Sequence, residues 1–152
     1  MGAEITERRR RDPIRQLSVF ADNKVGRLNE LVQILAKENI HILAFSQVDT
    51  TEFTIMRFVV NYHDEARRVL AERGYVFSEI EVIGVEMASE AELRNVTAAL
   101  LEAEINIHYL YPFLVRPRGK TGLVISLEDN DLASEVFSCK GLSVLDQNDL
   151  AR

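Results

Sequence analysis

Two stretches of this chain spell nearly the same message. Residues 28–42 read LNELVQILAKENIHI and residues 93–107 read LRNVTAALLEAEINI, so Leu28 lies over Leu93 and Ile42 over Ile107. Farther on, ARRVLAERGY (66–75) lies over ASEVFSCKGL (133–142), with Gly74 over Gly141. The offset is 65 residues in the first pair and 67 in the second, which one slightly longer loop explains. Two copies at so long a period predict a duplicated small domain, because a solenoid needs at least three stacked units to bury its faces. In a chain of 152 residues each copy is too small to make a sufficient interior alone, so the two must share a buried seam. A seam between two like units is also a place where a small molecule can be held.

Composition narrows the class. Hydrophobic content of 47% with 28% charged residues describes a globular chain rather than a disordered or fibrous one. The net charge of −6 argues against a nucleic-acid partner. No apolar run reaches the length of a membrane span, so no membrane role is expected. Arg8 to Arg11 follow Glu4 and Glu7, with no aromatic neighbours and no apolar stretch behind them; they read as a solvated tail over residues 1–13, not a secretory signal. The single cysteine, Cys139, excludes an intrachain disulfide and suits a cytoplasmic setting. Lying beside Phe137 in a helical repeat, it is expected to be a packed thiol.

Each half reads strand, helix, strand, strand, helix, strand. In the first, QLSVFA (16–21) is β-rich, DNKVG supplies turn residues, and Leu28, Leu31, Val32 and Leu35 recur at helical spacing. IHILAFSQV (40–48) and FTIMRFVV (53–60) are strands joined by a polar turn, Ala66, Val69 and Leu70 mark a second helix, and residues 75–82 close the unit. The second half runs from IGVEM (83–87) through a helix with Leu93, Val96 and Leu100 on one face. INIHYLYPFLV (105–115), TGLVISL (121–127), a helix around Ala133 and Phe137, and LSVL follow. A βαββαβ order predicts an α+β fold, two ferredoxin-like units over residues 14–81 and 82–147 packed as a pseudo-dimer. The strands are apolar on both faces, Ile40, Ile42 and Ala44 alternating with Leu43 and Phe45, so a second cover beyond the helices is required.

SVFADNKVGRL followed by a helix and LAKENIHI resembles the start of an ACT domain. Asn23, Gly26 and Leu28 match that family's turn between first strand and first helix, while Val25 stands where proline is common. VDTTEFTIMRFVV and NIHYLYPF add to the similarity, which covers Ile14 to Leu145 and points to bacterial stand-alone tandem ACT-domain proteins. The resemblance implies a non-catalytic, cytoplasmic regulatory protein, a homodimer, that binds a free amino acid or similar small carboxylate at the seam, with no cofactor. The alternative is an interaction module, a regulatory subunit of a metabolic enzyme without a ligand of its own.

The implied site is the loop Asp22, Asn23, Lys24, Val25, Gly26, Arg27 and Leu28, facing the strand Asn106, Ile107, His108 and Tyr109. A glycine there lets a ligand approach the backbone, and the helix that follows offers unpaired N–H groups and a positive dipole end to a carboxylate. Taken alone, DNKVG reads first as a turn and helix cap; the ACT resemblance reverses that preference. The second copy has MASEAEL at this place, Ala91 replacing the glycine, and Ser89 with Glu92 forms a capping box that occupies the donors. One dominant site per chain follows. His41 and His108 alternate with apolar strand neighbours and, with His63, make no metal-spaced set. Tyr109, Tyr111 and Phe113 share one strand face and are expected to pack against the other unit. Arg57, a charge in an apolar strand, calls for a partner such as Asp49 or Glu52, or serves as a carboxylate clamp. No nucleophile elbow or phosphate loop is present.

Overall fold

The computed structural model describes residues 12–151, so Arg8 to Arg11 and most of the expected tail lie outside the described residues. The first unit comprises β1 (Ile14–Asp22), α1 (Arg27–Lys37), β2 (Ile42–Asp49), β3 (Phe53–Val60), α2 (His63–Glu72) and β4 (Val76–Met87). A 3-10 turn (Glu90–Glu92) then leads into α3 (Leu93–Glu102), β5 (Ile107–Pro112), β6 (Thr121–Leu127), α4 (Asn130–Cys139), β7 (Ser143–Leu145) and a last short helix, α5 (Gln147–Leu150). The strands follow the order β2-β3-β1-β4-β6-β5, with β7 also on β4. Every ladder is antiparallel. The chain is an α+β protein of two ferredoxin-like units, the first ordered β2-β3-β1-β4 and the second β5-β6-β4-β7.

β4 belongs to both. The sequence suggested one strand ending at Val82 and another starting at Ile83; the structure has a single strand of 12 residues. Its pairing with β1 ends at Ile14↔Val82, and its pairing with β6 begins at Ile83↔Ile125. Nothing in this apolar stretch interrupts extended backbone, so the strand passes from one sheet to the next. Gly84 sits at the crossing, where a Cβ would stand 2.6 Å from Cδ1 of Ile14.

Duplication extends to the hydrogen bonds that end the helices. Ile40 N–H donates to Leu35 C=O at 3.0 Å and Ile105 N–H to Leu100 C=O at 2.9 Å. Tyr75 to Leu70 and Leu142 to Phe137 repeat the motif, with Gly74 and Gly141 both at φ 77. These bonds satisfy carbonyls left over at a helix C-terminus. They also start β2 and β5 two residues later than the apolar runs implied, because Asn39 and Glu104 are left-handed there.

Three cores result. Leu17, Leu31, Leu35, Met56, Phe58 and Leu70 are sealed beneath α1 and α2. Val85, Val96, Leu100, Ile125 and Phe137 fill the equivalent space beneath α3 and α4. On the other face of the strands, Ile14, Ala44, Val59, Val82, Tyr111, Phe113, Val124, Leu145 and Leu150 form the shared seam. Each large apolar side chain buried this way stabilises by about 1.5–3 kcal/mol. The sheet curls until β2 reaches β5, where Ala44 bridges Phe113 and Leu114 N–H donates to Leu43 C=O at 2.7 Å. α5, which is too short to show periodicity, returns to the first unit: Gln147 N–H donates to Asp12 C=O at 2.8 Å and its Nε2 to Val60 C=O at 3.0 Å.

The cover is staggered. The end of the first unit's bare face near Ile14 and Val82 is sealed, while Phe20, Val48, Phe53 and Ile80 stay 39–45% exposed and Val76 68%. One expectation is corrected here. Cys139 is exposed, not packed. It ends α4 two positions after the buried Phe137, roughly 200° around the helix, which turns it outward.

Candidate functional site

β1 ends at Asp22 and α1 begins at Arg27, so five residues after the strand the chain must already be helical. Gly26 makes the turn at φ 92, a conformation that costs an L side chain strain. Among the described residues no side chain caps α1. Among the described residues no acceptor meets the amides of Leu28 and Asn29, and a Cβ on Gly26 would meet nothing within 4 Å. The result is an open helix N-terminus with free donors and the positive end of its dipole.

The rest of the loop is braced. Asp22 holds the Arg27 guanidinium through both carboxylate oxygens and Lys24 Nζ at 3.1 Å. The hydrogen bonds from Arg27, then Lys24, keep the Asp22 carboxyl at about 2. Arg27 also reaches Glu30 at 3.3 Å. Asn23 donates its amide Nδ2 to Thr50 C=O and its backbone N–H to Glu52 C=O, both at 3.1 Å. Its side-chain carbonyl stays available to an ammonium group. Val25 is fully exposed and Leu28 is 37% exposed, giving the open end an apolar rim.

The duplicate turn is closed. Ser89 Oγ accepts from Ala91 N–H at 3.3 Å, and Glu92 Oε2 accepts from Ala88 N–H at 2.9 Å. The expected capping box is not formed: Ser89 takes the Ala91 amide instead of that of Glu92, and the Glu92 carboxylate takes the Ala88 amide just ahead of the turn, so one helix-end donor is occupied by a side chain. An open depression lined by Glu90, Ala91, Leu93, Arg94 and Thr97 lies beside it.

The strand residues named with the loop lie elsewhere within the chain. Asn106 exchanges hydrogen bonds with Glu128, Ile107 packs toward the second core, and His108 is exposed at an irregularity of β5. Tyr109 turns into the seam, where its hydroxyl accepts from Gln16 Nε2 at 2.7 Å. Gln16 stands six residues before Asp22 on β1, roughly 20 Å at the rise of a strand. Among the described residues no hydrogen bond, ion pair or ring contact joins Asp22–Leu28 to Asn106–Tyr109. The stagger imposed by β4 separates them.

Arg57 also departs from expectation. Asp49 is taken by Thr54 at 2.6 Å and Gln47 at 2.9 Å, and no carboxylate pairs with Arg57 among the described residues. The guanidinium instead lies 3.9 Å over the Tyr109 ring. Beneath it, Tyr111 donates to Gln16 Oε1 at 2.6 Å, and burial pushes the Tyr111 hydroxyl far up. Tyr111 and Phe113 pack in the seam as their strand face suggested. The sequence holds one signal for the cluster, a glutamine at the start of an apolar strand.

Among the described residues no group of three His, Cys, Asp or Glu could hold a metal, and no helix is long and apolar enough to cross a membrane. A family model described as an ACT domain pair matches residues 13–152. A search of curated proteins finds no match. Among solved structures, protein BT0572 from Bacteroides thetaiotaomicron is similar at 29% identity and a TM-score of 0.83, covering 93% of this chain and 98% of that one. The ligand-free regulatory subunit of aspartate kinase from Thermus thermophilus shares the fold at 19% identity and a TM-score of 0.59, covering 84% and 91%. The corresponding subunit from Thermus flavus does so at 16% and 0.55, covering 84% and 90%.

Proposed function

The chain belongs to the family of ACT domain pairs, and on that premise we propose that it is a non-catalytic regulatory protein binding a free amino acid or similar small carboxylate. The contrast between the two turns carries the reading. Among the described residues α1 leaves the Leu28 and Asn29 amides free behind Gly26, whereas the duplicate turn has Ser89 on the Ala91 amide and the Glu92 carboxylate on Ala88 beside it. In this reading the carboxylate seats on the α1 N-terminus, Asn23 accepts from the ammonium, and Asp22, Lys24 and Arg27 hold the loop in shape. Val25 and Leu28 meet the ligand's apolar part. Since Tyr109 meets Gln16, roughly 20 Å along β1 from Asp22, a second copy in a homodimer would supply Asn106, Ile107 and His108 to the loop.

A thermal-shift screen of the twenty amino acids tests this. One or a few should stabilise the protein by about 2.7 kcal/mol at a hundredfold excess over the dissociation constant. Gly26→Val should abolish that response. A response to none favours a second reading, an interaction module acting as the regulatory subunit of a metabolic enzyme. That reading draws on the two-unit layout shared with the regulatory subunits of aspartate kinase.

A further inference from the structure

The uncovered part of the first unit's sheet carries an ordered pattern. Ser46 of β2, Arg57 of β3, Ser18 of β1 and Ser78 of β4 are register partners in turn, so they form one polar row across four strands. One step outward, Val48, Ile55, Phe20 and Val76 form an apolar row by the same pairings. One step inward the second unit begins, with Tyr109 under the Arg57 guanidinium at 3.9 Å. Arg57 is half-buried, and among the described residues its N–H groups meet no acceptor. The guanidinium is therefore fixed over one ring face, with N–H donors that none of the described residues occupies and that a planar anion can take.

We propose that this face is a ligand site distinct from the Gly26 loop, with Arg57 as its clamp, for a monocarboxylate that has an apolar body and no amino group. A carboxylate matches the planar fork of the guanidinium, which Tyr109 holds in place from below. Ser18 is buried beside Gln16, while the half-buried Ser46 and the exposed Ser78 lie on the same row and can donate to the same carboxylate. The row of Val48, Ile55, Phe20 and Val76 receives the hydrocarbon. An α-amino acid is disfavoured because the row offers an ammonium only hydroxyls beside a fixed positive charge. The nearest acid on this face, Asp22, is committed to Arg27 and Lys24. The loop, which offers the Asn23 carbonyl, takes the opposite preference.

The test is titration of the isotope-labelled full chain with 3-phenylpropanoate, followed by proton–nitrogen NMR. The expected result is saturable shifts at the amides of Ser18, Ser46 and Ser78 and at the Arg57 Nε–H. The alcohol 3-phenylpropan-1-ol and L-phenylalanine should bind this face at least tenfold more weakly. Arg57→Met should weaken 3-phenylpropanoate by tenfold or more. Equal binding of the alcohol or of L-phenylalanine overturns the proposal, as does an Arg57→Met protein that binds like the parent. Shifts confined to Gly26 and Leu28 overturn it too, because those amides report the loop separately. So do serine shifts that track protein concentration without probe, which would place a second copy on this face. If Arg57→Met does not fold, the comparison of acid with alcohol on the unaltered protein decides.

Discussion

Gln16 is fully buried and ties three hydroxyls together. Replacing it by leucine keeps the volume roughly constant and strands the partners unequally. Tyr109 is half-buried and its hydroxyl loses a donor but keeps its own proton, so less is lost there. Tyr111 is 4% exposed, and its hydroxyl, now 2.6 Å from the Gln16 carbonyl, would have no acceptor. An orphaned buried hydroxyl costs about 1–3 kcal/mol, and leucine regains part of that through apolar burial. Gln16→Leu should therefore lose about 2 kcal/mol, a fall in Tm of roughly 4–8 °C for a chain of this size. Adding Tyr111→Phe removes the stranded group. The double variant should then be more stable than Gln16→Leu alone, by about 1–2 kcal/mol, although Tyr111→Phe destabilises the parent. Urea unfolding of all four proteins closes the cycle. Losses that simply add, with no coupling between the two sites, would refute the idea that this network is held together by mutual satisfaction.

Other consequences follow from the same structure. Gly26→Val should abolish ligand-induced stabilisation while the unliganded protein loses about 1–2 kcal/mol, the strain of a β-branched residue at positive φ; an unchanged amino-acid response in the screen would move the site elsewhere. Asn23→Ala should weaken amino-acid binding by about 1–3 kcal/mol, read by calorimetry, which should also give one dominant site per chain. The Glu79 carboxyl is held below its ordinary 4.5, first by the hydrogen bond from His63 and further by Arg67 and Arg15. A depressed folded value means its contribution is complete above that ordinary range and lost as pH falls through the folded value. The Tm gap between parent and Glu79→Gln should thus be full above the ordinary carboxylate range and shrink as pH falls through the folded value; a gap undiminished once the carboxylate is protonated would contradict the assignment. Gly122→Ala would place a Cβ 2.9 Å from the Phe113 ring and 3.3 Å from Val85 C=O, and should lower Tm by several degrees.

Much of the fold was readable because it is written locally and twice. Helical spacing at Leu28, Leu31 and Leu35, alternation along β3, and the paired glycines 74 and 141 each depend on a few neighbouring residues. Apolar residues on both strand faces foretold a second cover, and Tyr111 with Phe113 foretold who makes it. What stayed hidden depends on register between distant segments. That Arg57 would find Tyr109 rather than Asp49 follows from how far β4 offsets one unit from the other, and no local pattern encodes that offset. The same offset parts Tyr109 from Asp22, which the resemblance had set face to face. The open turn at Gly26 and the capped one at Ser89 were legible because capping chemistry is confined to four or five residues.

β4 has a consequence for the order in which this protein comes into being. Val76–Val82 completes the first unit as an edge strand, while Ile83–Met87 is an inner strand of the second, gripped by β6 on one side and β7 on the other. During synthesis the strands that pair within the first unit are all present once Val82 has emerged, while its bare face still awaits the second unit. The remainder of that strand then projects with both backbone edges bare, a primer on which later segments polymerise in a fixed phase. The two units are thus joined through one continuous strand and not through a loop.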